Sequence, residues 1–272
     1  MLKPIRNRIA VLIRFSYPAA NGTRATQQGP EEARRLLYDP ARMERRFTLF
    51  QALTLPSLLA QTDADFTTIL LVGQDLPQPA RARLKRLIAP LADARIVALP
   101  PLPHFRATRR AYDRALSPDL THLTTVRLDD DDAMAIDLIA RMRAAIPHLL
   151  ALSGPDTPSV MSYHNGLYLQ INASGNRIFG AIERTPLAVA TAMIAPVTRR
   201  DTVFSRNHRL LPQFFTGWSD TSRPAFIRTV HRDNDSDPSS SGQVIDLTEA
   251  DQRATLAAHF AVSLEGLRAL AP

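Results

Sequence analysis

Residues 121–133 read THLTTVRLDDDDA, an apolar segment that runs directly into four consecutive aspartates. The first eight residues combine β-branched and apolar side chains and predict a buried strand that ends at Leu128. Four adjacent carboxylates repel one another by about 1 kcal/mol or more per close pair, even near water. A charge run at the end of a buried strand does not serve solubility, so the stretch indicates a cation-binding site at the edge of a sheet.

The segments before this stretch alternate between strand-like and helix-like patterns. Strands are predicted at 8–14, 65–72, 95–99 and 121–128, and residues 15–39 are predicted to be a long loop. Helices are predicted from Pro40 to a stop at Pro56, with a short one after it, and over 77–90, 105–116 and 133–150. This alternation is typical of a mostly parallel sheet covered by helices, in which ligands bind at the carboxyl ends of the strands.

The second half has a different pattern. Short strands are predicted at 159–163, 166–172, 177–182 and 226–230, the apolar segment 186–195 is assigned to a helix, and residues 232–242 are polar and expected to be mobile. Thr248 is expected to cap a last amphipathic helix. The predicted fold class is α/β: a Rossmann-like, mostly parallel central sheet flanked by helices, followed by a mixed α+β half.

Composition excludes several classes of protein. The chain has 272 residues and no cysteine, which excludes disulfide scaffolds, thiolate zinc sites, iron–sulfur clusters and cysteine nucleophiles. The apolar stretch 187–197 is much shorter than the about 20 residues that a membrane span needs. The basic N-terminal segment is interpreted as a first buried strand and not as a signal peptide. A cytoplasmic protein is expected, with a peripheral contact with the inner membrane as an open alternative.

The net charge is +7, and 31 of the 33 basic residues are arginines. The excess lies in residues 1–128, with 20 basic and 10 acidic side chains, whereas residues 129–272 have 13 and 16. A basic half joined to a weakly acidic half suits a phosphate-bearing small ligand and a metal better than a long nucleic acid. Arg106, Arg109, Arg110 and Arg127 are expected near the cleft from the topology.

The aspartates themselves suggest the kind of metal. Oxygen ligands favour Mg²⁺ or Mn²⁺, which bind one or two carboxylates and complete their shell with substrate phosphates. Alternation along an extended chain would place Asp129 and Asp131 on one side and Asp130 and Asp132 on the other. The alternative is an acidic helix N-terminus without a metal, because carboxylates favour that position.

Three segments carry a resemblance to a known family: 46–72 (RFTLFQALTLPSLLAQTDADFTTILLV), 126–133 (VRLDDDDA) and 227–234 (IRTVHRDN). Over roughly residues 8–235 the chain resembles glycosyltransferases of the GT-A type, and within them the bacterial putative rhamnosyl transferase family. The resemblance implies a nucleotide-sugar donor-binding half at 1–132, an acceptor-side half of the same domain at 133–246 and a C-terminal helical tail at 247–272.

The resemblance also implies residue roles. Asp131 would be the main ligand of Mn²⁺ or Mg²⁺, Asp129 would touch the metal or the donor ribose, and His231 would complete the metal shell. Arg14 would lie over the nucleotide. Family 2 glycosyltransferases usually hold the nucleobase with an aspartate pair after the second strand. Here Asp75 is a displaced candidate, so a uridine donor is not assumed over a thymidine one.

The acceptor side is expected in the second half. An inverting enzyme needs a carboxylate base for the acceptor hydroxyl, and Asp220 is the candidate. Trp218 would stack on a sugar face, and His164, Asn165 and Tyr168 would line the acceptor site. For each of these residues a purely structural role is the alternative.

The function expected is metal-dependent transfer of a hexose, rhamnose by the family's name, from a nucleoside-diphosphate sugar to a glycan, lipid-linked or other hydroxyl acceptor, with inversion. Nucleic acid is not an expected partner, and the oligomeric state is open. The alternative of another class is a non-catalytic, arginine-rich module that binds nucleic acid or a membrane surface. A prenyl-diphosphate synthase is disfavoured by the strand before the aspartates, and a nucleotidyltransferase by the lack of a Gly-rich loop after the first strand.

Overall fold

The computed structural model describes residues 4–21, 29–234 and 239–271, which form two sheets. The larger sheet has the order β10-β6-β9-β4-β1-β2-β3, and the smaller has the order β12-β8-β7-β11-β5. The larger one contains β1 (Asn7–Arg14), β2 (Thr67–Gly73), β3 (Ala94–Leu99), β4 (His122–Asp129), β6 (Ser159–Tyr163), β9 (Ala192–Pro196) and β10 (Thr216–Asp220). The smaller one contains β5 (Ala133–Met134), β7 (Asn165–Gln170), β8 (Arg177–Ile182), β11 (Phe226–Val230) and β12 (Gln243–Ile245).

The strand directions in the larger sheet confirm the predicted mostly parallel arrangement. Strands β4, β1, β2 and β3 pair in parallel, and so do β6 and β10. Strand β9 is antiparallel to both β4 and β6, so β6 and β10 run in the same direction as β4. Six strands therefore end at the same edge of the sheet, which is the edge where the aspartates lie.

Helices cover both faces of this sheet. Alternate side chains of β2 point to opposite layers. Ile69 and Leu71 pack in a cluster with helix α5 (His104–Tyr112), whereas Leu70 and Val72 pack in a cluster with helix α4 (Gln78–Ile88). The helices are α1 (Pro30–Leu37), α2 (Pro40–Leu49), α3 (Leu55–Leu59), α4 (Gln78–Ile88), α5 (His104–Tyr112), α6 (Leu138–Ser153), α7 (Leu211–Phe214), α8 (Glu249–His259) and α9 (Leu264–Arg268). Thr248 caps α8 as expected, and Asp251 completes a capping box with it. No helix among the described residues is both long and apolar enough to cross a bilayer.

Four predictions of local structure are wrong. The expected helix at 186–195 is replaced by β9, because a short apolar run buried in the middle of a sheet has no periodicity that separates strand from helix. Helix α6 begins at Leu138 and not at 133, because β5 pairs with β11. The expected loop 15–39 contains α1. Pro56 does not end a helix, since a π-helical turn, Phe50–Thr54, leads into α3 and places Pro56 in its first turn.

Two further strands, β10 and β12, were not predicted. Strand β10 extends the larger sheet beyond β6, so residues of the second half complete the sheet that the first half begins. Of the polar segment 232–242, residues 235–238 lie outside the described part of the chain, and its expected mobility stays a prediction.

Candidate functional site

The four aspartates lie at the carboxyl edge of the larger sheet, as predicted. Strand β4 ends at Asp129, and the chain then turns, with the Asp132 N–H donating to the Asp129 carbonyl oxygen at 3.3 Å. The Asp132 carboxylate accepts the backbone N–H of Thr229 in β11 at 2.9 Å. The cluster therefore joins the edge of the larger sheet to the smaller sheet.

Arginines surround every one of these carboxylates. Arg46 of α2 contacts Asp130 through two nitrogens and Asp131 at 3.0 Å. Arg228 of β11 contacts Asp132 and also reaches Asp129 at 3.3 Å. The predicted pairing by alternation is wrong, because the chain turns after β4 and brings Asp130 together with Asp131.

Asp129 has the most basic environment in the cluster. Besides Arg228, it contacts Arg14 and Arg127, each at 3.3 Å. Four arginines thus balance four aspartates, counting Arg46. The carboxylate repulsion that the sequence assigns to a metal is offset by guanidinium groups of the chain itself.

Burial raises the pKa values of the aspartates and the neighbouring positive charges lower them, and the balance differs from one aspartate to the next. Burial raises the pKa of Asp129, but Arg127, Arg14 and Arg228 outweigh it and hold this pKa well below its usual range. Burial also opposes ionisation of Asp131, but Arg46 and His231 hold its pKa low. In Asp132, burial prevails over Arg228 and raises the pKa to about 7. Asp129 and Asp131 are therefore ionised at neutral pH.

His231 meets Asp131, although 100 positions separate them in the sequence. Its Nε2 lies 2.8 Å from the Asp131 Oδ2, which confirms the predicted approach. The Asn234 side chain donates to the same oxygen at 3.2 Å and accepts the His231 backbone N–H at 2.6 Å. The turn after β11 therefore holds the imidazole against the aspartate cluster.

The residues present fit a divalent ion in part. Among the described residues no group of three or more acidic, histidine or cysteine side chains is arranged around a common metal position. Mg²⁺ and Mn²⁺ need few protein ligands when substrate phosphates complete their shell, and the adjacent Asp131 and His231 meet that requirement. Asp129 does not, because its carboxylate faces three guanidinium groups.

A cleft opens over the cluster. It encloses about 100 Å³ and is lined by Ser16, Tyr17, Leu37, Asp233, Asn234, three of the aspartates (Asp129, Asp130 and Asp131) and five arginines, which are Arg14, Arg42, Arg46, Arg127 and Arg228. A wall of this charge suits a small ligand with several negative charges. The structure thus places Arg14 and Arg127 at the cleft, as expected.

Three other arginines that were expected near the cleft, of which Arg106 and Arg109 were candidates for donor binding, lie elsewhere. Helix α5 turns Ala107 and Ala111 toward the sheet, so Arg106, Arg109 and Arg110 lie on its outer side and line a separate depression. Their expected place in the cleft is wrong. Asp75 follows β2 at the correct edge, but its carboxylate is engaged by Arg34 and by the Tyr38 hydroxyl at 3.2 Å.

Trp218 and Asp220 lie on β10, at the same edge as the aspartates. Three strand spacings of about 4.8 Å put the end of β10 roughly 14 Å from the end of β4. The Trp218 side chain is 39% exposed and packs edge-on against Tyr163, with ring centroids 5.8 Å apart. This partly exposed indole is therefore open to a ligand at the sheet edge.

The Asp220 carboxylate already has three hydrogen-bond donors. It contacts Arg141 at 2.5 Å and accepts the Ser222 N–H at 2.8 Å and the Ser222 hydroxyl at 2.6 Å. Burial raises its pKa, but the hydrogen bonds from Ser222 and Arg141 lower it overall. A carboxylate held in this way is a weak base, so a role in proton transfer requires that an acceptor displace one of these donors.

Two of the other expected acceptor residues, His164 and Tyr168, are inside the protein. His164 is buried, with Nδ1 2.8 Å from the Glu183 carbonyl oxygen and Nε2 2.9 Å from the Ser162 hydroxyl. Tyr168 is buried, donates to the Glu183 carboxylate at 2.8 Å and stacks on Phe179. Asn165 donates to the Thr221 carbonyl oxygen at 3.2 Å. These contacts favour structural roles for His164 and Tyr168 over acceptor binding.

The sequence reasoning missed Arg46, Arg228, Arg42 and Asn234. Arg46 precedes Phe47 on the buried side of α2, and an arginine there is a signal of a buried partner. Arg228 lies in the middle of the apolar strand FIRTV, where a charge on a buried strand carries the same signal. Neither signal identifies the partner, because both contacts join distant segments.

Solved structures of nucleotide-sugar enzymes are similar to this chain at low identity. Staphylococcus aureus TarS 1–349 in complex with UDP-GlcNAc matches with a TM-score of 0.46 and 10% identity, covering 84% of this chain and 60% of that one. This chain thus spans less than two thirds of the TarS 1–349 chain. A putative nucleotide-diphospho-sugar transferase from Desulfovibrio desulfuricans matches with a TM-score of 0.38 and 8% identity, covering 82% and 80%.

A third structure, 4-diphosphocytidyl-2C-methyl-D-erythritol synthase from Anaerococcus prevotii, matches with a TM-score of 0.35 and 13% identity, covering 90% of this chain and 94% of that one. No curated protein matches the sequence. A family model described as putative rhamnosyl transferase matches residues 8–243, which is most of the sequence. The chain therefore belongs to the putative rhamnosyl transferase family.

Proposed function

We propose that this chain transfers a sugar from a nucleoside-diphosphate donor to a hydroxyl group of a glycan or lipid-linked acceptor, with the help of Mn²⁺ or Mg²⁺. Family membership supports a glycosyltransferase. The observation that carries the proposal is the cleft at the carboxyl edge, which five arginines line together with the ionised Asp129 and Asp131, and His231 contacts Asp131. Such a cleft offers a diphosphate both cations and a place for an ion.

In this proposal the donor diphosphate binds Arg14 and Arg127, the two cleft arginines whose contacts with Asp129 are long. Arg14 and Arg127 lie on neighbouring strands, and both contact Asp129 at distances longer than a strong charge-assisted hydrogen bond. A phosphate oxygen would offer these guanidinium groups a stronger partner. Arginines fixed on strand ends can stabilise the charge that develops on a leaving diphosphate without reorganising during the reaction.

Asp131 and His231 would hold the divalent ion, which when bound supplies further positive charge to the diphosphate. Arg46 keeps the Asp131 carboxylate ionised and fixes its orientation. Asp132, with its pKa near 7, contacts Arg228 and the β11 backbone and would act in positioning. In this proposal Asp131 binds the ion and Asp132 holds the turn.

On the acceptor side, Trp218 would stack on a sugar ring and Asp220 would take the proton from the acceptor hydroxyl, with inversion. This assignment rests on their place at the sheet edge and on the exposure of Trp218. Acceptor binding would replace the Ser222 hydroxyl on Asp220. Rhamnose is the sugar that the family name gives, and a hexose of this kind is the proposed group transferred.

A thermal-shift panel of UDP, GDP and TDP, each with Mn²⁺ or with EDTA, tests which nucleotide the protein binds. One diphosphate with Mn²⁺ is expected to raise the melting temperature most, because a ligand at about 100 times its Kd stabilises the folded state by about 2.7 kcal/mol. The matching nucleoside without phosphates is the control. Stabilisation by DNA and by none of the diphosphates would instead support the arginine-rich binding module.

Replacing His231 by alanine is expected to weaken Mn²⁺ binding in the presence of the diphosphate by about tenfold or more, because half of the protein's ligand pair is removed. Titration calorimetry of the protein–nucleotide complex with Mn²⁺ measures this affinity. His148→Ala, at an exposed position of α6, is the matched control. Unchanged Mn²⁺ affinity in His231→Ala would leave His231 as a structural partner of Asp131.

A further inference from the structure

A cluster of arginines that the cleft does not use lies on the outer side of α5. Arg106, Arg109 and Arg110 of this helix and Arg200 line a depression of about 310 Å³, together with Phe105 and Asp113. Helix α5 and the segment 202–214 cover the same face of the larger sheet, since Val203, Phe204 and Leu211 pack in the same cluster as Ala107 and Ala111. The outer side of these two elements is called here the basic face.

The arginines of the basic face have no ion-pair partner. Across residues 4–21, 29–234 and 239–271, no carboxylate pairs with Arg106, Arg109, Arg110 or Arg200, and Asp113 lies beside them without pairing. Elsewhere on the surface arginines do pair, for example Arg83 with Glu44 and Arg253 with Glu249. A group of like charges left unpaired in this way is suited to an external partner of negative charge.

Arg200 has a further unusual feature. Its backbone φ is 60°, in the left-handed region that non-glycine residues rarely adopt. Strained backbone of this kind persists where the surrounding structure imposes it, and it occurs often at binding sites. In this conformation Arg200 lines the depression beside the arginines of α5.

The basic face also exposes large apolar side chains. Phe105 is 40% exposed, Leu210 41% and Phe214 55%, and the Arg206 guanidinium lies 5.0 Å from the centre of the Phe214 ring. A phosphate-binding pocket for a small ligand has no use for such residues. Arginines mixed with exposed aromatic and aliphatic side chains are typical of surfaces that contact both the headgroups and the acyl region of a membrane.

We propose that the basic face docks on a membrane surface rich in anionic phospholipid. Charge complementarity selects anionic headgroups, and Phe105 and Phe214 provide the apolar contact. The inference does not depend on the proposed function. It does place the cleft next to the membrane, because α5 begins with His104 directly after the carboxyl edge of the sheet, and a lipid-linked acceptor would then be within reach.

The test is co-sedimentation of the full chain with vesicles of phosphatidylcholine alone or mixed in equal parts with phosphatidylglycerol. The wild-type protein is expected to bind the anionic vesicles and not the neutral ones, with weaker binding at higher salt. The variant Arg106→Gln/Arg110→Gln is expected to lose about fivefold in affinity for each arginine removed. The matched control is Lys85→Gln/Arg86→Gln, which removes two exposed charges from α4 on the opposite face of the sheet.

Phe214→Ser tests the apolar contact separately. It is expected to weaken binding to anionic vesicles while leaving the salt dependence unchanged, because no charge is removed. The melting temperature of each variant shows that it is folded. Equal losses in the α4 and α5 variants, no binding of the wild-type protein to anionic vesicles, or a preference for double-stranded DNA over those vesicles would overturn the proposal.

Discussion

Asp131→Asn is expected to remove Mn²⁺-dependent binding of the nucleoside diphosphate and to lower sugar transfer by about two to three orders of magnitude. The amide keeps the size of the side chain but loses the charge that an ion and His231 require. Asp131 is the carboxylate that His231 contacts, and Arg46 keeps it ionised at neutral pH. Titration calorimetry of the diphosphate with and without Mn²⁺ measures the effect before a donor sugar is known.

Asp130→Asn is the matched control for this variant. Asp130 is as buried as Asp131 and contacts the same arginine, Arg46, but it has no contact with His231. Both variants are expected to lose similar stability, because each weakens one side of the same buried ion pair. A Mn²⁺-dependent loss confined to Asp131→Asn separates ligand binding from structure. Equal, small effects of the two changes would favour an acidic turn without an ion.

The strand ends were predictable because their signals are local. The apolar run before Asp129 identifies a buried strand, and the alternation with helices in the first half identifies a parallel sheet, so the cluster had to lie at the carboxyl edge. The approach of His231 to Asp131 was expected because the family resemblance makes both residues metal ligands and because His231 directly follows a predicted strand. Its geometry depends on a turn after β11 that brings distant segments together.

The arginine partners could not be predicted, since pairing is a tertiary property. The carboxylate repulsion was correctly recognised, but the compensating charges were sought in a metal, whereas Arg46 and Arg228 come from α2 and β11. The alternation of side chains holds only while the chain is extended, so the turn at Asp130 makes the prediction from alternation wrong. The wrong prediction for Arg106 and Arg109 has a similar cause. Topology predicts which edge of the sheet a helix starts from, but it does not predict which side chains of that helix face away from the sheet.

The aspartate turn is therefore a structural unit as well as the proposed ligand site. Arg46 fixes the two central carboxylates, and Arg228 ties Asp129 to Asp132 and both to the smaller sheet. Because these contacts hold the turn before any ligand binds, the cleft does not have to form its charge pattern during catalysis.

Arg228→Met should accordingly cause the largest loss of stability, about 3–5 kcal/mol, because it leaves Asp132 buried without its cationic partner. Urea unfolding measures the loss. Arg14→Met is the control, since Asp129 keeps Arg127 and Arg228 when Arg14 is removed, and it should cost much less. Adding Asp132→Asn to Arg228→Met should restore part of the stability, because the uncompensated charge is then gone.

The pH dependence gives a second signature of the same contact. In the wild-type protein the folded-state pKa of Asp132 is about 7, which is above its value in the unfolded chain. Ionisation of Asp132 therefore lowers the free energy of unfolding as the pH rises toward 7, and it has no such effect at low pH, where the residue is protonated in both states. Loss of Arg228 raises that pKa further and enlarges the penalty. The stability difference between Arg228→Met and the wild-type protein should therefore be larger at pH 8 than at pH 5. A difference that is independent of pH, or as small as that of Arg14→Met, would show that Arg228 does not hold the turn through Asp132.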